Sequence, residues 1–457
     1  MRILLSVLLL SSPWAAQVET PAVPPAGVTI EEAVHVALQN YPAIKAAMEG
    51  AAAAQAGVKL SRTSYLPRAD FLWQSNRATR NNIFGLLLPQ PIVAGISGPV
   101  GFNDGDTAWG SATGMMLNWE PFDFGLRKAS VQSAEATAGR AEAGVEVSRL
   151  QVATATADAF LSVVATEQSR RAARAAVERG RIFFDVVSAR VQAGLRPGAD
   201  AERARAELAV AESQLARAEE AVTAARIVLS QYSGLPRDIT VREGSLLQRP
   251  APPAAAAQDV AQHPLAQEQR AAVDEAQARW RVLDRSYFPR FNLLADTYAR
   301  GTGARTNGTT LGGFGGLGPT VKNWAVGLNI TFPAFDRSAI AARQETELHR
   351  QLAETARYDR LSKELTAQFD RAQATLESAR RVAQNTPIQL QAARAVEQQA
   401  TARYRSGLAI IVEVADAQRL LTQAEIDDAL ARLNVWRGLL AIAVAQGDLE
   451  PFLLQTH

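Results

Sequence analysis

Residues 402–418 read ARYRSGLAIIVEVADAQ, and they hold the chain's most suggestive pair of chemical groups, Glu413 and Asp416. Three residues apart, these carboxylates share one face of a helix. They follow the break at Ser406-Gly407, where a new helix start favours negative charge. A helix-end preference on a solvated face accounts for them; acids lining a narrow passage would instead attract cations. No other chemistry assembles around them. The four histidines, His35, His263, His349 and His457, are scattered without metal-ligand spacing. There is no cysteine, which excludes disulfides, thiolate metal sites, cysteine nucleophiles and a lipid anchor on cysteine. GFGGLG (313–318) fits a dinucleotide fingerprint through Gly313, Gly315 and Gly318, but Pro319 and a strand follow where a helix is needed, so it reads as a flexible loop. Asn307-Gly308-Thr309 reads as a chance match to a glycosylation acceptor. No nucleophile elbow, phosphate loop or catalytic acid pair has supporting context. The expectation is a protein without catalytic residues, metal or cofactor.

The elements that position Glu413 and Asp416 are long. Of the 457 residues 47% are hydrophobic but only 6% aromatic, and alanine supplies the difference. Alanine with many Arg, Glu and Gln favours helix. A net charge of +2 gives no reason to expect a nucleic-acid partner. Met1-Arg2, the apolar run ILLSVLLL (3–10) and small residues after it fit a signal peptide over 1–16, with Trp14 obscuring the cleavage site. A Pro-rich segment (17–28) follows. No later stretch offers 18 uninterrupted apolar residues; IFGLLLPQPIVAGISGPVG (83–101) is broken by prolines and glycines.

The chain is written twice. SYLPRADFL (64–72) matches SYFPRFNLL (286–294), Tyr41-Pro42 matches His263-Pro264, and AR-VQA-GL (189–195) matches AR-YRS-GL (402–408). The offset shrinks between residues 72 and 117, so the first copy carries an insertion there. The copies span 29–232 and 259–447, joined by a Pro/Gly/Ala-rich linker (233–258) and followed by a tail (448–457). Each copy is expected to begin with a helix pair, the first opened by a capping box at Thr29 and Glu32. Two strands follow, at about 69–80 and 112–122, then at about 290–300 and 321–332. WAVGLNITF (324–332) alternates cleanly, with Trp324, Val326, Leu328, Ile330 and Phe332 on one face. Then comes a helix over 124–192, proline-free and about 100 Å long, with small residues spaced 4,3,4,3. After the Gly-Leu break the stripe resumes at Ala204, Leu208, Ala211 and Leu215. It is matched 213 residues later at Ala417, Leu421, Ala424 and Asp428, the one polar member. Each copy thus ends in a helical hairpin that turns at Gly-Leu. The acids near the first turn, Asp200 and Glu202, read as out of register with Glu413 and Asp416.

Four strands cannot close a barrel in lipid, and an open edge would leave backbone groups unpaired, so membrane strands here imply oligomerisation. Two copies would supply eight strands and three would supply twelve; the spacing does not choose.

This duplicated order, with SYLPR and SYFPR, LNWEPFDFG (117–125), LNITFPAFD (328–336), the two AR-x-x-x-GL turns and IIVEVADAQ (410–418), resembles the TolC-type outer-membrane efflux family. The resemblance implies a mainly α fold with a small antiparallel β part. It implies a homotrimer whose twelve strands form an outer-membrane β-barrel above a periplasmic α-barrel of coiled-coil helices. It also implies outer-membrane lipid around the strands, with a periplasmic adaptor and an inner-membrane pump as partners. Glu413 and Asp416 would ring the periplasmic aperture. Asp200 and Tyr404 match a gate link, in which the phenol donates to the carboxylate. Gly194, Leu195, Gly407 and Leu408 resemble adaptor-contact turns, although a glycine that simply ends a helix serves as well. A family arginine falls on Ala409, so its link is missing, with Arg405 or Arg196 as substitutes. The implied function is the exit duct of a tripartite efflux system for small molecules. The alternatives are a duct for secreted polypeptides and a secreted coiled-coil scaffold without a pore.

Overall fold

Thr29 opens the first helix through reciprocal bonds: Glu32 N donates to Thr29 Oγ1 (3.2 Å) and Thr29 N to Glu32 Oε2 (2.9 Å). The computed structural model describes residues 27–79, 106–243, 246–247, 259–305 and 309–456. The expected signal peptide, most of the Pro-rich segment, the insertion in the first copy, much of the linker and Asn307-Gly308 lie outside the described residues.

Helix α1 (Ile30–Asn40) ends at Tyr41, and Pro42 starts α2 (Pro42–Arg62), where its missing N–H costs nothing. Strands β1 (Arg68–Thr79) and β2 (Thr107–Phe122) follow, then α3 (Leu126–Gln192) and α4 (Gly198–Ser233). The second copy gives α5 (Pro264–Arg285), β3 (Arg290–Thr302), β4 (Val321–Thr331), α6 (Arg337–Arg405), α7 (Ile411–Gln446) and the short α8 (Glu450–Gln455). Among the described residues the expected helix pair is seen in the first copy; in the second, residues 259–262 form a single 3₁₀ turn, Val260–Gln262, capped by Asp259, directly before α5. Among the described residues no helix is long and apolar enough to cross a membrane.

The chain divides into two compact units, and each draws on both sequence copies. One comprises residues 48–144 and 266–360 and contains the sheet. Its strands pair antiparallel in the order β1-β2-β3-β4. The register aligns Phe71 with Met115, Thr297 and Trp324 in one row, and Ala69 with Leu117, Ala295 and Val326 in the next. Phe71, Trp73, Met115, Trp324, Val326, Leu328 and Ile330 all project from this face into the surroundings. The opposite face carries Asp70, Gln74, Asn292, Asp296, Tyr298, Asn323 and Asn329. This alternation is that of a strand with lipid on one side and water on the other.

β2 passes into α3 at Asp123. Its carboxylate accepts from Gly125 N (3.1 Å), Arg127 N (2.6 Å) and Arg127 Nε (2.9 Å), so it caps the helix and pairs a buried arginine. Burial opposes the charged carboxylate, but the Arg127 and Gly125 hydrogen bonds outweigh it and hold the pKa below the ordinary aspartate value.

The Gly-rich stretch before β4 is not the flexible loop its composition suggests. It packs backbone against backbone on the strand ends. Ser111 Oγ donates to Gly316 O (2.8 Å) and Gly303 N to Trp109 O (2.7 Å). A Cβ on Gly303 would lie 2.3 Å from Gly315 O, and one on Gly316 would lie 2.1 Å from Gly303 N. Close approach, not freedom, demands glycine there.

The second unit comprises residues up to 47, 145–265 and 361 onward, and it holds the main core and both hairpin turns. Phe160, Leu161, Val163, Leu433, Trp436 and Leu440 centre the core, and Trp436 Nε1 donates to Leu246 O (2.9 Å). From α6, residues 372 and 376 join this core, and the same 4,3 stripe continues through Leu390, Ala393, Ala400 and Tyr404 toward the turn.

Candidate functional site

The two hairpin turns, α3–α4 and α6–α7, are built alike. Gly194 (φ 71°) donates to Val191 O (3.0 Å) and Leu195 N to Arg190 O (2.9 Å). Gly407 (φ 80°) donates to Tyr404 O (3.1 Å) and Leu408 N to Arg403 O (2.8 Å). Both are Schellman ends, and the left-handed φ explains the two glycines. The next residue is turned outward in each case: Leu195 is 72% and Leu408 71% exposed.

Each returning helix starts three residues after its leucine. Pro197 and Ile410 are the N-caps, and Asp200 and Glu413 each stand three residues further on. This corrects the expectation that both first-copy acids are out of register. Asp200 is the counterpart of Glu413, 213 residues earlier; only Glu202 falls elsewhere. The two acids nevertheless act differently, and the caps explain it. Glu413 Oε1 accepts the Ile410 N–H (3.3 Å), the reciprocal half of a capping box. Pro197 has no N–H to offer, so the Asp200 carboxylate is free to accept from Tyr404 Oη (3.3 Å).

Tyr404 is fully buried in a cluster with Val187, Ala204, Ala400, Ile411 and Val414. Phe183 stands 5.3 Å away between ring centroids. The Arg196 guanidinium lies 4.6 Å above the phenol ring, a cation–π contact. Arg196 Nη2 also donates to Tyr404 O (3.2 Å) and Ala409 O (3.4 Å), while Arg190 donates to Tyr404 O (3.3 Å) and Arg405 O (2.7 Å). Burial, then the Asp200 charge, raises the Tyr404 pKa against the opposing effect of the arginines. Of the two substitutes considered for the arginine absent at Ala409, Arg196 makes the contact. It occupies the position matching 409 in the first copy, 213 residues earlier. Sequence reading had not placed Arg190 or Phe183 here. The signal for Arg190 lay in the AR-x-x-x-GL motif itself, which puts an arginine one turn before each break.

Glu413 and Asp416 share the exposed side of α7, with side chains 46% and 63% exposed, while Val414 and Ala417 face the cluster. Each has an arginine nearby: Arg403 at 4.0 Å from Glu413 and Arg419 at 3.5 Å from Asp416. Arg419 also holds Glu207 at 2.9 Å. Among the described residues there is no cluster of His, Asp and Glu fit to hold a metal ion. Two turns are thus tied together by one buried phenol, with bare leucines below and acids beside it.

A family profile described as outer membrane efflux protein matches residues 33–235 and 257–448. No curated protein sequence gives a significant match. Several solved structures share the fold. The CmeC outer membrane channel of Campylobacter jejuni superposes with a TM-score of 0.76 at 16% identity, covering 98% of this chain and 93% of that one. VceC, an outer membrane protein of Vibrio cholerae, gives 0.71 at 18% identity over 92% and 96% of the two chains. The MtrE outer membrane channel of Neisseria gonorrhoeae, solved in an open state, gives 0.69 at 18% identity over 92% and 89%. At such identities the likeness establishes the fold.

Proposed function

The chain belongs to the outer membrane efflux protein family, and from that premise we propose that three copies form the exit duct of a tripartite system that expels small molecules. Membership makes it an outer-membrane channel protein with a helical periplasmic part, not an enzyme. The observation that carries the finer reading is the four-stranded sheet. Among the described residues β1 and β4 edge it without partners, and over the half of the sheet toward the helices one face presents the exposed apolar side chains Phe71, Trp73, Met115, Trp324, Val326, Leu328 and Ile330. In lipid such edges must be paired by neighbouring copies, and three fours give a closed barrel of twelve. A secreted scaffold has no use for that face.

In this reading the hairpin turns form the periplasmic mouth. Glu413 and Asp416 repeat around it as two carboxylate rings that favour and retain cations. Arg403 and Arg419 temper their charge. The Asp200–Tyr404 bond, with Arg196 stacked on the phenol, holds the mouth closed. Leu195 and Leu408 offer apolar contacts to a periplasmic adaptor, which links the duct to an inner-membrane pump that supplies the energy. The test is conductance in planar bilayers. The wild type passes cations preferentially and is blocked from the mouth side by multivalent cations. Replacing Glu413 and Asp416 with alanine removes the block; a block that persists refutes the aperture assignment.

A further inference from the structure

The face of the sheet that bears Phe71 and Trp324 carries two charged side chains among the described strand residues. They are Arg77, near the end of β1, and Lys322, near the start of β4. Both are cations, both are exposed, and both lie at the strand ends remote from the helices. Spacing sets them at one boundary. On β4, Lys322 lies ten residues from Phe332, the exposed aromatic at the helix end. On β2, Trp109 lies ten residues from Trp119, and the register places Arg77 opposite Trp109. Ten residues at ~3.3 Å each, on strands tilted by about 35–45°, climb about 23–27 Å. The apolar band of an outer-membrane barrel is about 25 Å tall, so each cation stands where hydrocarbon ends and headgroups begin. Arg77 is also held in place. Its guanidinium lies 5.7 Å from the Trp109 ring centroid, and its Nε donates to Thr107 Oγ1 (3.0 Å). Phe314, 77% exposed, stands 6.5 Å from Trp109 and extends the apolar surface beside it. Among the described residues neither Arg77 nor Lys322 has a carboxylate partner. A cation that only snorkels to water needs no such platform, whereas a fixed guanidinium suits a phosphate.

We propose that Arg77 and Lys322 bind the phosphate groups of lipopolysaccharide, the phosphorylated glycolipid of the outer leaflet. This rests on the reading of the sheet as one third of a closed barrel. On closure β4 of one copy borders β1 of the next, which brings Lys322 and Arg77 to a shared seam. A headgroup with two phosphates spans that seam, and its acyl chains run down the apolar side chains toward the helices. Three seams give three sites.

The experiment titrates the full-length assembled protein in detergent with three lipids and counts bound lipid by native mass spectrometry. The lipids are a short-chain, doubly phosphorylated lipopolysaccharide, the same lipid with its phosphates removed, and phosphatidylglycerol. The wild type is expected to take up to three lipopolysaccharides per particle, about tenfold more tightly than either other lipid. The Arg77→Gln/Lys322→Gln double variant is expected to lose that preference. Arg77→Lys, which keeps the charge but not the fork, is expected to fall between. Arg290→Gln, on the opposite face near the helix end, is expected to bind as the wild type does. Equal binding of all three lipids by the wild type overturns the proposal, and that comparison needs no variant to fold. A preference for phosphatidylglycerol, or a double variant that binds like the wild type, overturns it too. The same spectra report the protomer count. A trimer without lipid preference sinks this proposal alone, whereas a particle of any other size sinks the barrel reading with it.

Discussion

Tyr404 reaches Asp200 because Pro197 leaves that carboxylate unoccupied, whereas Ile410 occupies Glu413. One residue type at the helix start decides which acid caps and which links the hairpins. Tyr404→Phe removes a single hydrogen bond of 3.3 Å and should cost about 0.5–1.5 kcal/mol of stability. In bilayers it should increase conductance, and an unchanged conductance removes Tyr404 from the gate. Arg196→Gln should act in the same direction, since it removes both the stacked cation and the bonds to the 404 and 409 carbonyls. The raised Tyr404 pKa carries a sign. The folded state keeps this proton longer than the unfolded chain, so the stability it contributes is complete below pH ~10 and is lost as pH rises beyond that. Absorbance titration should find the Tyr404 ionisation, identified by its loss in Tyr404→Phe, raised above the ordinary phenol value and moved back down in an Asp200→Asn variant. The acids, the phenol and the two glycines were legible in the sequence through the Gly-Leu turns and the resemblance they support. Arg196 was only one of two possibilities, because a stacking contact between residues 208 apart leaves no local pattern. The equivalence of Arg196 and Ala409 under the 213-residue offset was the available clue.

At the scale of elements, periodicity served well where one face is uniform. β4 alternates strictly and α3 carries its 4,3 stripe without a proline, and both occur nearly where expected. The Gly-rich loop was misread because composition does not separate a loop that needs freedom from one packed too tightly for a Cβ. The strand faces make a quantitative claim. Val326→Lys, on the apolar face midway along β4, should destabilise the assembled protein by roughly 2–4 kcal/mol, whereas Ala325→Lys on the opposite face should cost much less. Denaturant unfolding in detergent micelles or vesicles measures the difference, and equal costs would contradict the assigned faces. At the strand–helix junction, Asp123→Asn leaves the buried Arg127 without its counter-charge and should cost about 3–5 kcal/mol near neutral pH. Asp123 has a depressed folded pKa, so its contribution is present above the ordinary aspartate value and disappears as pH falls through the folded one. The gap between variant and wild type should therefore narrow in acid.

For the whole molecule, the two sequence copies and the two compact units are different divisions, and the long helices α3 and α6 supply residues to both units. Duplication was legible from matched motifs; the units were not, because they depend on which parts of the two copies pack together. The number of copies is the point at which strand counting alone left two answers, eight strands or twelve, and membership of an outer-membrane efflux family favours twelve. The central claim is that this four-stranded sheet is closed by two further copies of the same chain. Native mass spectrometry of the detergent-extracted protein, counting protomers per particle, tests it most directly. The expected result is three protomers per particle, with extraction dependent on detergent. A particle of one or two protomers, or a protein that stays in solution without detergent, would contradict it.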